Sequence, residues 1–225
     1  MIKFKVDLSD TAYFNGITID YAYIIDGLDY AKKHGIKRVL IKSEEQIKHR
    51  FNFEIFKDYD FITTLHWIVP LSKLSDIQGL YNLRNLREFR WGPVNDIPID
   101  LSAFPNIEML SIVYYSQISG WDMLNNLQRL FLTKVNTCDL SFLHKNTNLE
   151  YLRVLRGKIT SINGIDNCSK LRILFLQSCN LINTLEPTIF KLNLDRLNVE
   201  KCPNLKISNT TVSYTHLRAH ETKAN

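Results

Sequence analysis

The sequence predicts an α/β chain of stacked repeats. Short parallel strands would line one side, tight three-residue-per-turn segments the other, and a small α/β cap would close the N-terminus. Two observations carry this. The phrase LxxLxL recurs seven times: Ile62/Leu65/Trp67, Leu86/Phe89/Trp91, Ile107/Leu110/Ile112, Leu127/Leu130/Leu132, Leu149/Leu152/Val154, Leu171/Leu174/Leu176 and Leu194/Leu197/Val199, at spacings of 24, 21, 20, 22, 22 and 23 residues. Self-similarity at such a period marks a repeat architecture in which each unit buries its apolar side against its neighbours. Between the phrases, apolar residues fall three apart, as at Leu74, Ile77, Leu80, Leu83 and Leu86, or Ile118, Trp121, Leu124 and Leu127, or Ile159, Ile162, Ile165, Cys168 and Leu171. An α-helix rotates such a stripe by about 60° per turn, whereas 3-10 turns or extended coil hold it on one side. The outer segments are therefore expected to be 3-10 turns or coil rather than long helices.

Taken in order, Ile2, Phe4, Val6 and Leu8 alternate as a half-buried strand does. Residues 20–34 carry apolar positions at Tyr21, Ile24, Ile25, Leu28 and either Ala31 or Tyr30 with helical spacing, Asp20 as N-cap and Gly35 as stop. Ile36, Val39 and Ile41 then form a degenerate first strand of the repeat kind. Residues 1–60 thus read as a capping region that covers the end of the apolar stack, and residues 61–211 as the repeats. Ten acidic and ten basic residues leave the cap neutral, so Glu44, Glu45, Glu54, Asp58 and Asp60 read as solvated surface rather than a carboxylate site. Residues 212–222, VSYTHLRAHET, resemble the translation of a transposon sequencing adapter, and residues 212–225 are set apart as a non-native tail. Without its Arg218, Glu221 and Lys223 the net charge of +5 becomes +4, and His216 and His220 drop out as ligand candidates. The repeats would then be truncated at the C-terminus.

The repeat phrase resembles the leucine-rich repeat, in the short form of about 22 residues found in internalins and in phosphatase-regulatory repeat proteins. The resemblance covers residues 61–205 and implies a curved solenoid with a parallel sheet on the concave side and recognition as its role. The sequence departs from the family where a hydrogen-bonding Asn or Cys is expected eight residues after the first leucine. Those positions hold Pro70, Val94, Tyr115, Val135, Gly157, Cys179 and Cys202, of which the last two alone fit. Asn precedes the first apolar position in five repeats (Asn85, Asn106, Asn126, Asn148 and Asn193), which suits a tight turn with local side-chain bonds.

Period-2 alternation assigns the open face of the sheet. Its expected members include Thr64, His66, Ile68, Glu88 and Ser111, but its middle is apolar and aromatic and flanked by arginine. The candidate partner-binding residues are Arg90, Met109, Val113, Arg129, Phe131, Tyr151, Arg153, Leu155, Ile173, Phe175 and Arg196. Exposed apolar surface rimmed by polar groups marks interaction sites, and aromatics with Arg are the usual anchors of protein interfaces. The alternative is that the aromatics cover one another, or that a shifted register turns them inward.

A protein partner on the concave face is the preferred function. The family context implies a bacterial immunity or regulatory protein as one form of it. The other reading is the substrate-recognition part of a truncated enzyme whose catalytic domain followed residue 211. No phosphate-binding glycine loop, HExxH or nucleophile elbow is present, so no catalytic residue, cofactor or metal is assigned. Cys179 and Cys202 read as small buried groups, and Cys138, Cys168 and His144 lack metal-ligand spacing. Nucleic-acid binding is disfavoured, because Glu88 and Glu200 interrupt the face and a net charge of +4 is no basic stripe. No apolar run reaches the roughly 18 residues of a membrane span. Four scattered Cys with no CxxC and no signal-peptide pattern give a cytoplasmic expectation; oligomeric state is left open.

Overall fold

The computed structural model describes residues 3–45, 47–93, 97–185 and 187–205; the adapter-like tail, Ile2 and Val94 lie outside them. It is a mixed α/β structure with mostly parallel strands, few helices and no closed barrel. The described residues form two compact units, those up to 112 with 117–120, and 113–116 with those from 121 to 205.

In the first unit β1 (Phe4–Asp7) pairs antiparallel with β2 (Gly16–Asp20). The Asp20 carboxylate accepts from the Ala22 amide at 3.0 Å and starts a 3-10 turn that runs into α1 (Ile24–Lys33). That cap satisfies an amide the first turn would leave unpaired. The helix buries Ile24, Gly27, Leu28 and Ala31 and ends at Gly35, whose φ of +68° suits glycine. Ile25, counted with the apolar side from its spacing, instead faces solvent.

Strands β3 (Arg38–Lys42), β4 (Thr64–Trp67), β5 (Glu88–Trp91) and β7 (Met109–Val113) follow β2 in parallel register, while the two-residue strands β6 (Ile99–Asp100) and β8 (Ile118–Ser119) pair on their own. Leu65, Trp67, Phe89, Trp91, Leu110 and Ile112 point into the core as their alternation requires. A 3-10 segment over Phe53–Asp58 inserts Phe53 and Phe56, and Phe53 meets Trp67 at 4.5 Å and Trp91 at 5.8 Å between ring centroids. Gly79 lies against the Phe53 backbone so closely that a Cβ there would overlap it. The stripe of threes begins at Ile77 rather than Leu74: Leu74 is 70% exposed, outside the 3-10 turn at Gln78–Asn82 that directs the later members inward.

The second unit holds β9 (Arg129–Thr133), β10 (Tyr151–Leu155), β11 (Ile173–Gln177) and β12 (Arg196–Glu200), all parallel and in register. Short 3-10 turns lie at Trp121–Met123, Ser141–Leu143 and Thr188–Lys191. Between β10 and β11 the chain runs through turns and coil, yet Ile159, Ile162, Ile165, Cys168 and Leu171 are all fully buried. A three-residue period can be served by irregular backbone as well as by 3-10 helix.

Two devices repeat along the chain. Lys134, Arg156, Ser178 and Lys201, each immediately after a strand, have φ between 53° and 61°. The amides of Lys134, Arg156 and Ser178 donate across to Leu155, Gln177 and Glu200 carbonyls at 2.8 Å, which fixes the corner where the chain leaves the sheet. The asparagines, expected to bond locally, reach back one turn instead. Asn85 Nδ2 donates to Asp60 O at 2.9 Å, Asn106 to Arg84 O at 3.0 Å and Asn148 to Asn125 O at 2.7 Å. These side chains tie one turn to the one before it. Among the described residues, no helix is long and apolar enough to cross a membrane.

Candidate functional site

The register of β9–β12 arranges the outward residues of the second unit in three rows. Arg129, Tyr151, Ile173 and Arg196 form the first, Phe131, Arg153, Phe175 and Asn198 the second, and Thr133, Leu155, Gln177 and Glu200 the third. Their inward neighbours Leu130, Leu132, Leu152, Val154, Leu174, Leu176 and Leu197 are buried, so no displaced register turns the aromatics into the core. Phe131, Tyr151, Arg153, Leu155, Ile173 and Phe175 are half-buried, and Arg129 and Arg196 are exposed.

Part of that burial is mutual. Phe131 and Tyr151 lie 5.1 Å apart, tilted by 37°, and the Arg129 guanidinium sits 5.8 Å from both ring centres. Arg153 lies 4.9 Å from the centre of Phe175. Each such cation on a ring contributes about 0.5–1 kcal/mol near a surface, because the ring face is negative. The contacts hold the guanidinium planes in place without cancelling their charge. Arg153 Nη2 donates to Gln177 Oε1 at 2.6 Å, and Gln177 Nε2 donates to Glu200 Oε2 at 2.9 Å. Arg153 Nε is shielded from solvent and has no hydrogen-bond partner among the described residues. Among those residues, no carboxylate forms an ion pair with Arg129, Arg153 or Arg196.

Arg90, Met109 and Val113 stand on β5 and β7. Arg90 and Met109 lie in the first unit, Arg90 exposed and in register with His66 and Ser111, Met109 half-buried and in register with Glu88. Val113, half-buried, ends β7.

The first unit's outward face has a different chemistry. Arg38 donates from Nε to Asn15 O at 2.8 Å and from Nη1 to Thr64 Oγ1 at 3.0 Å, and pairs through Nη2 with Glu88 Oε2 at 3.0 Å. His66 Nε2 donates to the other Glu88 oxygen at 2.7 Å. Phe14, from the β1–β2 loop, packs 4.9 Å from the His66 ring and 5.7 Å from the Arg38 guanidinium. Burial pushes the Glu88 carboxyl up, but the His66 hydrogen bond and the charges of His66 and Arg38 outweigh it and hold it below the usual carboxylate range. Thr64, expected on the open face, is 2% exposed. A groove of about 740 Å³ on this unit is lined by Tyr13, Phe14, Leu40 and Ile68 together with charges of both signs, Lys5 and Lys42 against Asp7, Asp20 and Glu44.

The ladder cysteines bond to backbone: Cys179 Sγ contacts Val154 O at 3.6 Å and Cys202 Sγ contacts Leu176 O at 3.8 Å. All four thiols are free, and no three His, Cys, Asp or Glu side chains among the described residues group as metal ligands would.

What sequence reasoning missed is the Phe14 lid and the Arg38–Glu88–His66 network, which bring together residues up to 74 positions apart. The one signal for them was a carboxylate and a histidine at diagonally adjacent outward positions of neighbouring repeats, Glu88 being in register with Thr64 and His66 with Arg90. No protein-family model matches the chain, and no curated protein sequence matches it.

Proposed function

We propose that the chain is a leucine-rich-repeat solenoid that serves as a protein-recognition scaffold and takes its partner on the outward face of β9–β12. The repeat phrase, the parallel strands and the 3-10 turns support the architecture. One observation carries the function: arginines stand on half-buried aromatics across adjoining rows and, among the described residues, form no ion pair with a carboxylate. Aromatic and Arg side chains are rigid, amphipathic anchors of protein interfaces, and a sheet face needs neither for its own stability.

The test pairs Phe131→Asp with Phe175→Asp. The double variant should keep the circular-dichroism spectrum of the wild type and lose the proteins that the wild-type chain retains, identified by mass spectrometry. Arg90→Glu, in the first unit, should keep them. Retention by the double variant would move the site elsewhere.

A further inference from the structure

Resting on that reading, we infer that the partner is acidic: it presents Asp or Glu carboxylates to Arg129, Arg153 and Arg196, beside apolar side chains that cover Phe131, Tyr151 and Phe175. The charge of the face is the first argument. It carries three guanidinium groups and one carboxylate, Glu200, which already accepts from Gln177 at 2.9 Å. Among the described residues the face therefore carries an excess of positive charge, and none of the three arginines forms an ion pair.

The state of Arg153 is the second argument. Its Nη2 is held by a neutral amide oxygen at 2.6 Å, its guanidinium sits 4.9 Å from the centre of Phe175 and its Nε is shut off from water with no acceptor among the described residues. A cation that has lost part of its hydration and gained no counter-charge attracts a carboxylate more strongly than a fully solvated one does, because its field is less screened. Restricted by Phe175 and Gln177, it also has less side-chain freedom to lose on binding. Arg129, exposed to solvent, is placed over both Phe131 and Tyr151.

The face of β9–β12 suits a protein better than a nucleic acid. A phosphate backbone needs a continuous basic track. Here the third row holds Thr133, Leu155, Gln177 and Glu200, with no basic side chain. Separate guanidinium groups among apolar side chains match carboxylates spaced along a folded or extended polypeptide.

The experiment is selection of a random dodecapeptide display library on the immobilised full chain, in parallel with its Arg129→Gln/Arg153→Gln/Arg196→Gln variant. Binding of a fluorescent twenty-residue oligothymidylate is measured on both. Wild-type protein should enrich Asp plus Glu at least threefold over the input library, together with aromatic or aliphatic residues. The triple variant, of unchanged melting behaviour, should lose the acidic enrichment, and the oligonucleotide should bind neither chain tightly. Enrichment of neutral apolar peptides that is lost in the Phe131→Asp/Phe175→Asp variant overturns the acidic partner and leaves the recognition face standing. Basic peptides, no enrichment at all, or tight salt-dependent oligothymidylate binding that the triple variant loses overturn the inference. The last of these results overturns the protein-binding reading with it.

Discussion

The two units present outward faces made from the same strand pattern, and they end in opposite states. In the first, Arg38 meets Glu88 and Thr64 while Phe14 packs beside it; here a carboxylate answers the charge and Phe14 closes this part of the face. In the second, Arg129 and Arg153 meet Phe131, Tyr151 and Phe175; the charge is placed but left uncancelled. The fate of an outward arginine is decided by its neighbours in the register, a carboxylate in one unit and aromatic rings in the other. The first arrangement stabilises the fold; under the proposed function the second holds a charge ready for a partner.

The comparison breaks most visibly at its binding end. Ile173→Glu places a carboxylate in register with Arg196 and Tyr151 and so imitates the first unit's solution in the second. Peptide or partner binding should fall by at least tenfold while the melting temperature stays within about 2 °C, since the site is a partly exposed strand face. Undiminished binding would mean that open charge on β9–β12 is irrelevant.

Next in size is the cost of opening the closed face. Glu88→Gln leaves Arg38 and His66 without their shared carboxylate and should destabilise by about 2 kcal/mol. Arg129→Gln, which loses only ring contacts, should cost less than about 1 kcal/mol. Urea denaturation of the two variants gives the ratio directly; equal costs would erase the distinction between the faces. Acid should remove it too. The folded-state carboxyl of Glu88 sits below its ordinary range, so its stabilisation is present above the unfolded value, about 4.3, and is lost as pH falls through the depressed folded value. The gap in stability between wild type and Glu88→Gln should therefore close progressively below about pH 4. A gap that widened on acidification would reverse the assignment.

The smallest effect concerns the corners after β10 and β12. Arg156 and Lys201 hold φ of 55° and 53°, a region that favours glycine. Arg156→Gly should change stability by less than about 1 kcal/mol, toward the stable side, with binding unaltered. A large loss would show that the Arg156 side chain, and not the backbone, matters at this corner.

Much of this was legible in the residues. The strands β4, β5, β7 and β9–β12 with their inward apolar residues follow from LxxLxL, because a strand has a period of two; the two-residue strands β6 and β8 carry no such phrase, and Thr64, outward by alternation, is buried. Other features depend on groups distant in sequence, and periodicity carries no record of them. The Asn85, Asn106 and Asn148 side chains reach the preceding turn, which only a folded stack provides. β2 was passed over although Ile17 and Ile19 alternate, because its five residues sit between a loop and the stronger helical signal of α1. Leu74 carries the right residue at the right spacing and is still exposed. Of the candidate site, the outward rows could be read from alternation; which arginines would be neutralised could not, because that depends on Glu88 lying in reach of Arg38, two strands away.

The most direct test is methyl nuclear magnetic resonance of the full chain, labelled at Ile and Leu, titrated with the acidic peptide most enriched on it. Leu155 and Ile173, among the rows of β9–β12, should shift saturably, and Leu40 and Ile68, beside the groove of the first unit, should not. Saturable shifts at Leu40 and Ile68 with Leu155 and Ile173 unmoved would contradict a recognition face on the second unit.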